Sequence, residues 1–203
     1  MKKKIGIFGG SFSPPHNGHI IAAISFYDSI GLDVLYIMPA NIAPHKSEGT
    51  VDSEKRFEMC KIAFQNLSTE KNIIVSDYEI KKGGISYTSD TLSHFASNDS
   101  ELFFLCGTDM FLSLNTWHRP DIICSLATIV LMRREKDKSI INKIKYRKTY
   151  LKKKYNAKII SIHQEPIEIS STEIRYSIKN KLDCSTYVSN ELMSYIIDHN
   201  LYV

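Results

Sequence analysis

Gly9-Gly10-Ser11-Phe12-Ser13-Pro14-Pro15-His16-Asn17-Gly18-His19 follows directly on the apolar run Lys4-Ile5-Gly6-Ile7-Phe8, and this junction decides the fold. A short apolar run stopped by two glycines reads as a buried first strand ending in a tight turn. A helix is expected from about Gly18. In a doubly wound sheet such a strand-to-helix turn lies at the carboxyl ends of the strands, where ligands bind.

Working outward, β-rich runs recur at residues 34–38, 73–75, 102–106, 127–132 and 158–162, which makes six strands. Helical patterns lie between most of them, at 20–30, 53–67 and 88–97. Strands alternating with helices predict an α/β fold, a doubly wound parallel sheet covered on both faces. The last 33 residues differ: 171–181 and 189–200 both read as helices, and Ser170 with Glu173 fits a capping box at the first. We expect one domain over residues 1–203, with 171–203 as a small C-terminal helical extension.

Composition narrows the function classes. With 43% hydrophobic and 24% charged residues in 203, the chain is neither disordered nor fibrous. The longest apolar run, residues 126–132, is far below the roughly 20 residues of a membrane span. Gly9, Gly10, Pro14 and Pro15 interrupt any signal-peptide core, so a cytoplasmic location is expected. Cys60, Cys106, Cys124 and Cys184 are widely separated, with no C-x-x-C pair; their spacing encodes neither zinc site nor disulfide framework, and buried free thiols are expected. The net charge of +4 is unevenly spread: residues 133–158 carry twelve Lys and Arg against two acids, a local +10 that leaves −6 elsewhere. Ile140, Ile141, Ile144, Tyr150 and Leu151 allow that segment to form a helix with a solvated basic face.

The chemistry concentrates at the first turn. Its glycines let backbone approach a ligand, and the following helix N-terminus offers N–H groups and partial positive charge to phosphate. His16 and His19, three apart, can face one phosphate together. A plain turn with histidines capping a helix would explain any one of these residues; their clustering points to phosphate chemistry. Ser170, Ser171 and Thr172 place hydroxyls at a capped helix N-terminus, with Arg175 about one turn on, which suits phosphate oxygens as well as an ordinary surface cap. Gly107-Thr108-Asp109 puts a carboxylate at a strand end, able to accept from ribose hydroxyls or to cap the next helix. Lys46 is a loop cation, and Trp117, the single tryptophan, suits either core or ring stacking.

Here the chain resembles the H-x-G-H nucleotidyltransferases, and among them the nicotinate-nucleotide adenylyltransferase family. The resemblance runs nearly end to end, through Pro44-His45-Lys46, Tyr87-Thr88-Ser89-Asp90-Thr91-Leu92, Gly107-Thr108-Asp109, Trp117, Ile169 to Arg175, and the late Tyr195-Ile196-Ile197 with Leu201-Tyr202. It implies a Rossmann-like nucleotidyltransferase fold, ATP and nicotinate mononucleotide as partners, and Mg²⁺ accompanying ATP with no protein metal site. It implies catalytic roles for His16, His19, Lys46 and Arg175. Substrate contacts are implied for Gly9, Gly10, Ser11, Phe12, Gly107, Asp109 and Arg133, for Thr88 near the pyridine carboxylate and for Trp117 stacked on the ring. Ser171 and Arg175 would serve the β- and γ-phosphates, the Ile169 backbone would lie near the adenine, and Ser170 is a further implied substrate contact. The family usually has Asp where Ser13 stands and often a second proline where Ala43 stands. The basic segment matches none of its motifs.

The implied reaction is in-line attack by the 5′-phosphate on the α-phosphorus of ATP, without a covalent intermediate. Its demands are positioning and positive potential, not a general base. Another phosphorylated acceptor such as phosphopantetheine is the alternative within this chemistry. A class I aminoacyl-tRNA synthetase fragment would need a K-M-S-K-S-like loop, which is absent. A nucleic-acid-binding module built on residues 133–158 is the alternative outside it, but Tyr146, Tyr150 and Tyr155 are the only stacking platforms there and no base-reading motif accompanies them. The sequence leaves oligomeric state, a homo-oligomer included, open.

Overall fold

A computed structural model describes residues 2–44, 51–133, 138–163 and 169–203. Its strands are β1 (Lys3–Gly10), β2 (Val34–Pro39), β3 (Ile73–Val75), β4 (Ser100–Gly107), β5 (Ala127–Arg133) and β6 (Ile159–His163). The helices are α1 (Asn17–Ile30), α2 (Ser53–Phe64), α3 (Leu67–Glu70), α4 (Tyr78–Lys82), α5 (Thr88–Phe95), α6 (Thr108–Ser113), α7 (Pro120–Leu126), α8 (Lys138–Tyr155), α9 (Ser171–Lys179) and α10 (Asn190–Asp198), with a 3₁₀ turn at Leu114–Thr116. The sheet order is β3-β2-β1-β4-β5-β6. This is the doubly wound order, reversing direction between β1 and β4. β1 with β4, β4 with β5 and β5 with β6 pair in parallel. Parallel strands covered on both faces read as near-continuous apolar runs, and Ala127 to Met132 of β5 are all buried, Thr128 being the one polar residue among them.

The chain divides into two compact units. One comprises Met1–Phe8, Ser25–Leu35 and Tyr87–Pro166; the other comprises Gly9–Ile24, Tyr36–Ser86 and Ile167–Val203. In the second, α9 and α10 bury Ile174, Leu192 and Ile196 with Met59 of α2, joined by Cys184, Val188 and Leu201. Each fully buried aliphatic side chain there contributes about 1.5–3 kcal/mol. The capping box forms as expected: the Ser170 side chain accepts from the Glu173 N–H, and the Glu173 carboxylate accepts from the Ser170 N–H.

The differences from expectation are local. β1 runs through Gly9 and Gly10 instead of stopping before them. The helix expected over 53–67 breaks at Gln65-Asn66 into α2 and α3; Asn favours turns because its side chain competes for backbone hydrogen bonds. Helices α4 and α7, of five and seven residues, were not anticipated, because so short a segment shows less than two turns of periodicity; α6 is the helix expected at Asp109. The basic segment forms α8, with Ile144 and Leu151 buried two turns apart and Lys145, Lys152 and Lys153 exposed. All four cysteines are free and buried, and burial pushes the Cys60, Cys106 and Cys124 thiols well above the usual range. Among the described residues no helix is long and apolar enough to cross a membrane.

Candidate active site

Within the second unit, the turn after β1 folds the two histidines together. Their rings lie 3.8 Å apart between centroids. The His16 Nδ1 accepts from the Gly18 N–H at 3.1 Å, and the His19 Nδ1 accepts from the His16 N–H at 3.2 Å. With both Nδ1 atoms acting as acceptors, the hydrogen-bond network assigns the proton of each neutral ring to Nε2. Both rings therefore carry Nε2–H donors. Glycine at 18 is what permits this: a Cβ there would stand 2.9 Å from the His16 ring. Phe12 is buried, edge-on to His19 at 5.0 Å and to Phe64 at 6.3 Å, so its side chain is a floor under the histidines and only its backbone is left for a ligand.

The last motif meets this turn. The Ser171 hydroxyl donates to the Pro14 carbonyl at 2.9 Å, and Arg175 Nη1 donates to the Ser13 carbonyl at 2.8 Å. Arg175 Nη2 also donates to the Thr172 hydroxyl at 3.0 Å. Two of the five guanidinium N–H groups are engaged in these contacts. Ile169 packs against the α9–α10 core and lies 3.5 Å from where a Gly18 Cβ would be, while Ser170 stays exposed as the cap. Ser13 is buried and within 3.0 Å of the Tyr202 hydroxyl. Burial pushes the Tyr202 phenol up to about 12, so it stays protonated. Asn17 is held from its backbone by the Tyr187 carbonyl and from its side chain by the Thr186 carbonyl.

The other unit holds the remaining candidates. Thr88 opens α5, whose N-cap, Tyr87, provides no side-chain cap. Tyr87 lies against His118 with ring centroids 4.2 Å apart. Gly107 ends β4 and itself occupies the N-cap position of α6, so Asp109 is not the cap but an exposed residue of the first turn. Trp117 is half-buried, edge-on to Phe104, its indole N–H donating to the Ser113 hydroxyl. Arg133 ends β5 with its Nε buried and without a hydrogen-bond partner among the described residues. Lys46 lies outside the described residues.

Residues 7–177 match the family described as Cytidylyltransferase-like. A Clostridium botulinum (strain Eklund 17B) protein named "Probable nicotinate-nucleotide adenylyltransferase" is 40% identical over 98% of both chains. A Clostridium novyi protein of the same name is 38% identical over the full length of both. This chain belongs to the nicotinate-nucleotide adenylyltransferase family. Among solved structures, the Plasmodium falciparum nicotinic acid mononucleotide adenylyltransferase complexed with NaAD superposes with a TM-score of 0.76 at 22% identity, covering 98% of this chain and 97% of that one. That likeness shows the shared Rossmann-like fold.

As a member of the nicotinate-nucleotide adenylyltransferase family the chain is a nucleotidyltransferase. Reading the sequence missed Arg56, which is 3% exposed and donates to the Ser11, Asn41 and Val51 carbonyls. A signal was present: Arg56 shares a helical face with the apolar Met59, Cys60 and Phe64. Asn41 and Tyr202, which also tie loops of this unit together, left no such trace.

Proposed function

We propose that this chain transfers the adenylyl group of ATP to nicotinate mononucleotide, giving nicotinate adenine dinucleotide and pyrophosphate in NAD biosynthesis, and that residues 1–203 act as one nucleotidyltransferase domain with 171–203 as its helical part. The observation that carries the reading is the meeting of Ser171 and Arg175 with the Pro14 and Ser13 carbonyls beside the paired histidines. An oxygen of the acceptor's 5′-phosphate attacks the α-phosphorus, the bond from that phosphorus to the bridging oxygen breaks, and pyrophosphate leaves. The Nε2–H donors of His16 and His19 would hold the oxygens on which charge builds, preorganised by the backbone N–H groups that fix both rings. Arg175, Ser171 and Lys46 would serve the β- and γ-phosphates, and Gly9, Gly10 and Ser11 would offer backbone at the end of β1.

On the acceptor side, Thr88 would meet the pyridine carboxylate and Trp117 the ring, with Asp109 at a ribose and Arg133 near phosphate. Mg²⁺ accompanying ATP would neutralise phosphate charge. Incubation with ATP, Mg²⁺ and a panel of phosphorylated acceptors, with analysis of products, tests the reading. Nicotinate mononucleotide should release pyrophosphate fastest; preference for phosphopantetheine would replace it with the alternative acceptor.

A further inference from the structure

Arg56 is buried on the inner face of α2, where an aliphatic side chain would be the ordinary occupant. Burial holds its pKa below the usual arginine value, with Cys60, Tyr202, Asp52 and Glu79 opposing that shift. The guanidinium is directed at three main-chain carbonyls from three segments: Nε to Val51 at 2.9 Å, Nη1 to Ser11 at 2.9 Å and Nη2 to Asn41 at 2.8 Å. Ser11 belongs to the turn that carries the histidines. Asn41, in turn, donates from Nδ2 to the Gly84 carbonyl and from its backbone to the Ser86 hydroxyl, both at 2.9 Å, while the Ser86 N–H donates to the Ile42 carbonyl. Gly83 and Gly84 both have positive φ, 72° and 68°, which allows the turn that Asn41 holds. The chain continues from Ser86 straight into Tyr87 and Thr88.

We propose that Arg56 is a positioning residue for adenylyl transfer, a planar clamp that fixes the Ser11 carbonyl against the Asn41 carbonyl and so couples the phosphate turn to the turn leading into the base-side helix. This rests on the function proposed above. Three carbonyls, each met by a different guanidinium nitrogen, suit the rigid donor fork of arginine; a lysine ammonium carries the same charge as a compact point on a flexible stem, without that fork. The clamp touches no substrate. Its loss displaces groups that do, and displacement of about 1 Å can cost on the order of a hundredfold in rate.

The test compares Arg56→Lys with the unmodified protein, both shown folded by circular dichroism and thermal melting. We expect kcat with ATP and nicotinate mononucleotide to fall about 10- to 100-fold while the KM for ATP changes less than threefold, the signature of lost alignment and not lost binding. A folded variant with kcat within twofold of the unmodified protein, or a loss no larger than its unfolded fraction, overturns the proposal. Asn41→Ala, which removes only the partly exposed side-chain link to Gly84, should raise the KM for the mononucleotide fivefold or more and leave that for ATP unchanged. An unchanged mononucleotide KM overturns the coupling, and this holds even if Arg56→Lys does not fold.

Amide hydrogen exchange reads the clamp without turnover. Peptides spanning residues 9–16 and 40–44 should exchange faster in Arg56→Lys, or in Asn41→Ala for the second peptide, and unchanged exchange overturns the clamp. Failure of the unmodified protein to release pyrophosphate would instead overturn the function, leaving the exchange result to decide on Arg56.

Discussion

Arg175 and Ser13 are joined by a 2.8 Å hydrogen bond from a guanidinium nitrogen to a main-chain carbonyl, across 162 residues of sequence. The residue assigned to the ATP phosphates thus also anchors the turn that presents the histidines. Arg175→Ala should raise the KM for ATP at least tenfold and lower kcat as well, whereas Trp117→Ala should chiefly raise the KM for the mononucleotide. Initial rates with each substrate varied in turn check this; equal effects of both variants on both constants would break the division of roles.

His19→Ala should lose two orders of magnitude or more in kcat/KM, on the scale of removing one transition-state donor. The ring's Nδ1 accepts from the His16 N–H, so His19→Asn, which keeps an acceptor and a donor on one side chain, should retain more activity than alanine. Near-normal turnover by a folded His19→Ala protein would remove the histidine from the reaction.

Gly18→Ala tests the packing that orients His16. The added methyl would sit 2.9 Å from a ring that is itself buried, and such overpacking costs about 1–3 kcal/mol. At roughly 2–4 °C per kcal/mol for a chain of this size, the melting temperature should fall by about 2–12 °C. Turnover should drop at least tenfold at temperatures where the variant is folded. Scanning fluorimetry beside a pyrophosphate assay separates the two effects, and an unaltered rate would mean that the ring need not be held there.

Nicotinate mononucleotide should be preferred over its amide by at least tenfold in kcat/KM. The first turn of α5 has no side-chain cap, so its N–H groups and the Thr88 hydroxyl suit a carboxylate. An amide would set its NH₂ against one of those donors, and an unmet buried hydrogen bond costs roughly 1–3 kcal/mol. That is about ten- to hundredfold in discrimination. Thr88→Val should narrow the gap. Parity between the two substrates in the unmodified protein would defeat the assignment.

The parts of this architecture that were legible in the sequence are those that repeat or cluster. The apolar run into Gly9-Gly10, the largely apolar Ala127 to Met132 and the Ser170–Glu173 box each obey a local rule; the last two form as read, and the first differs only in that its strand runs on through the glycines. The pairing of His16 with His19 followed from their spacing. What could not be read was long-range and backbone-directed: the place of Arg56 on an apolar face marks it as buried, but its partners are carbonyls, and carbonyls carry no sequence signature. The Ser13–Tyr202 contact was hidden for a related reason, since a hydroxyl pair 189 residues apart leaves no spacing rule to find. The short helix α6 put Gly107 at its cap, displacing Asp109 from a role that residue type alone suggested.

The bond between Ser13 and Tyr202 has a consequence for how the molecule comes into being. A chain emerging from the ribosome at about 5–20 residues per second exposes its phosphate turn early, then makes another 189 residues before that partner exists, an interval of about 10–40 s. Pro14, Asn17 and Ser13 must wait without Ser171, Tyr187 and Tyr202 beside them. The contacts that hold this turn are therefore completed late in biosynthesis, and a chain interrupted before residue 202 would carry both histidines without the Tyr202 contact.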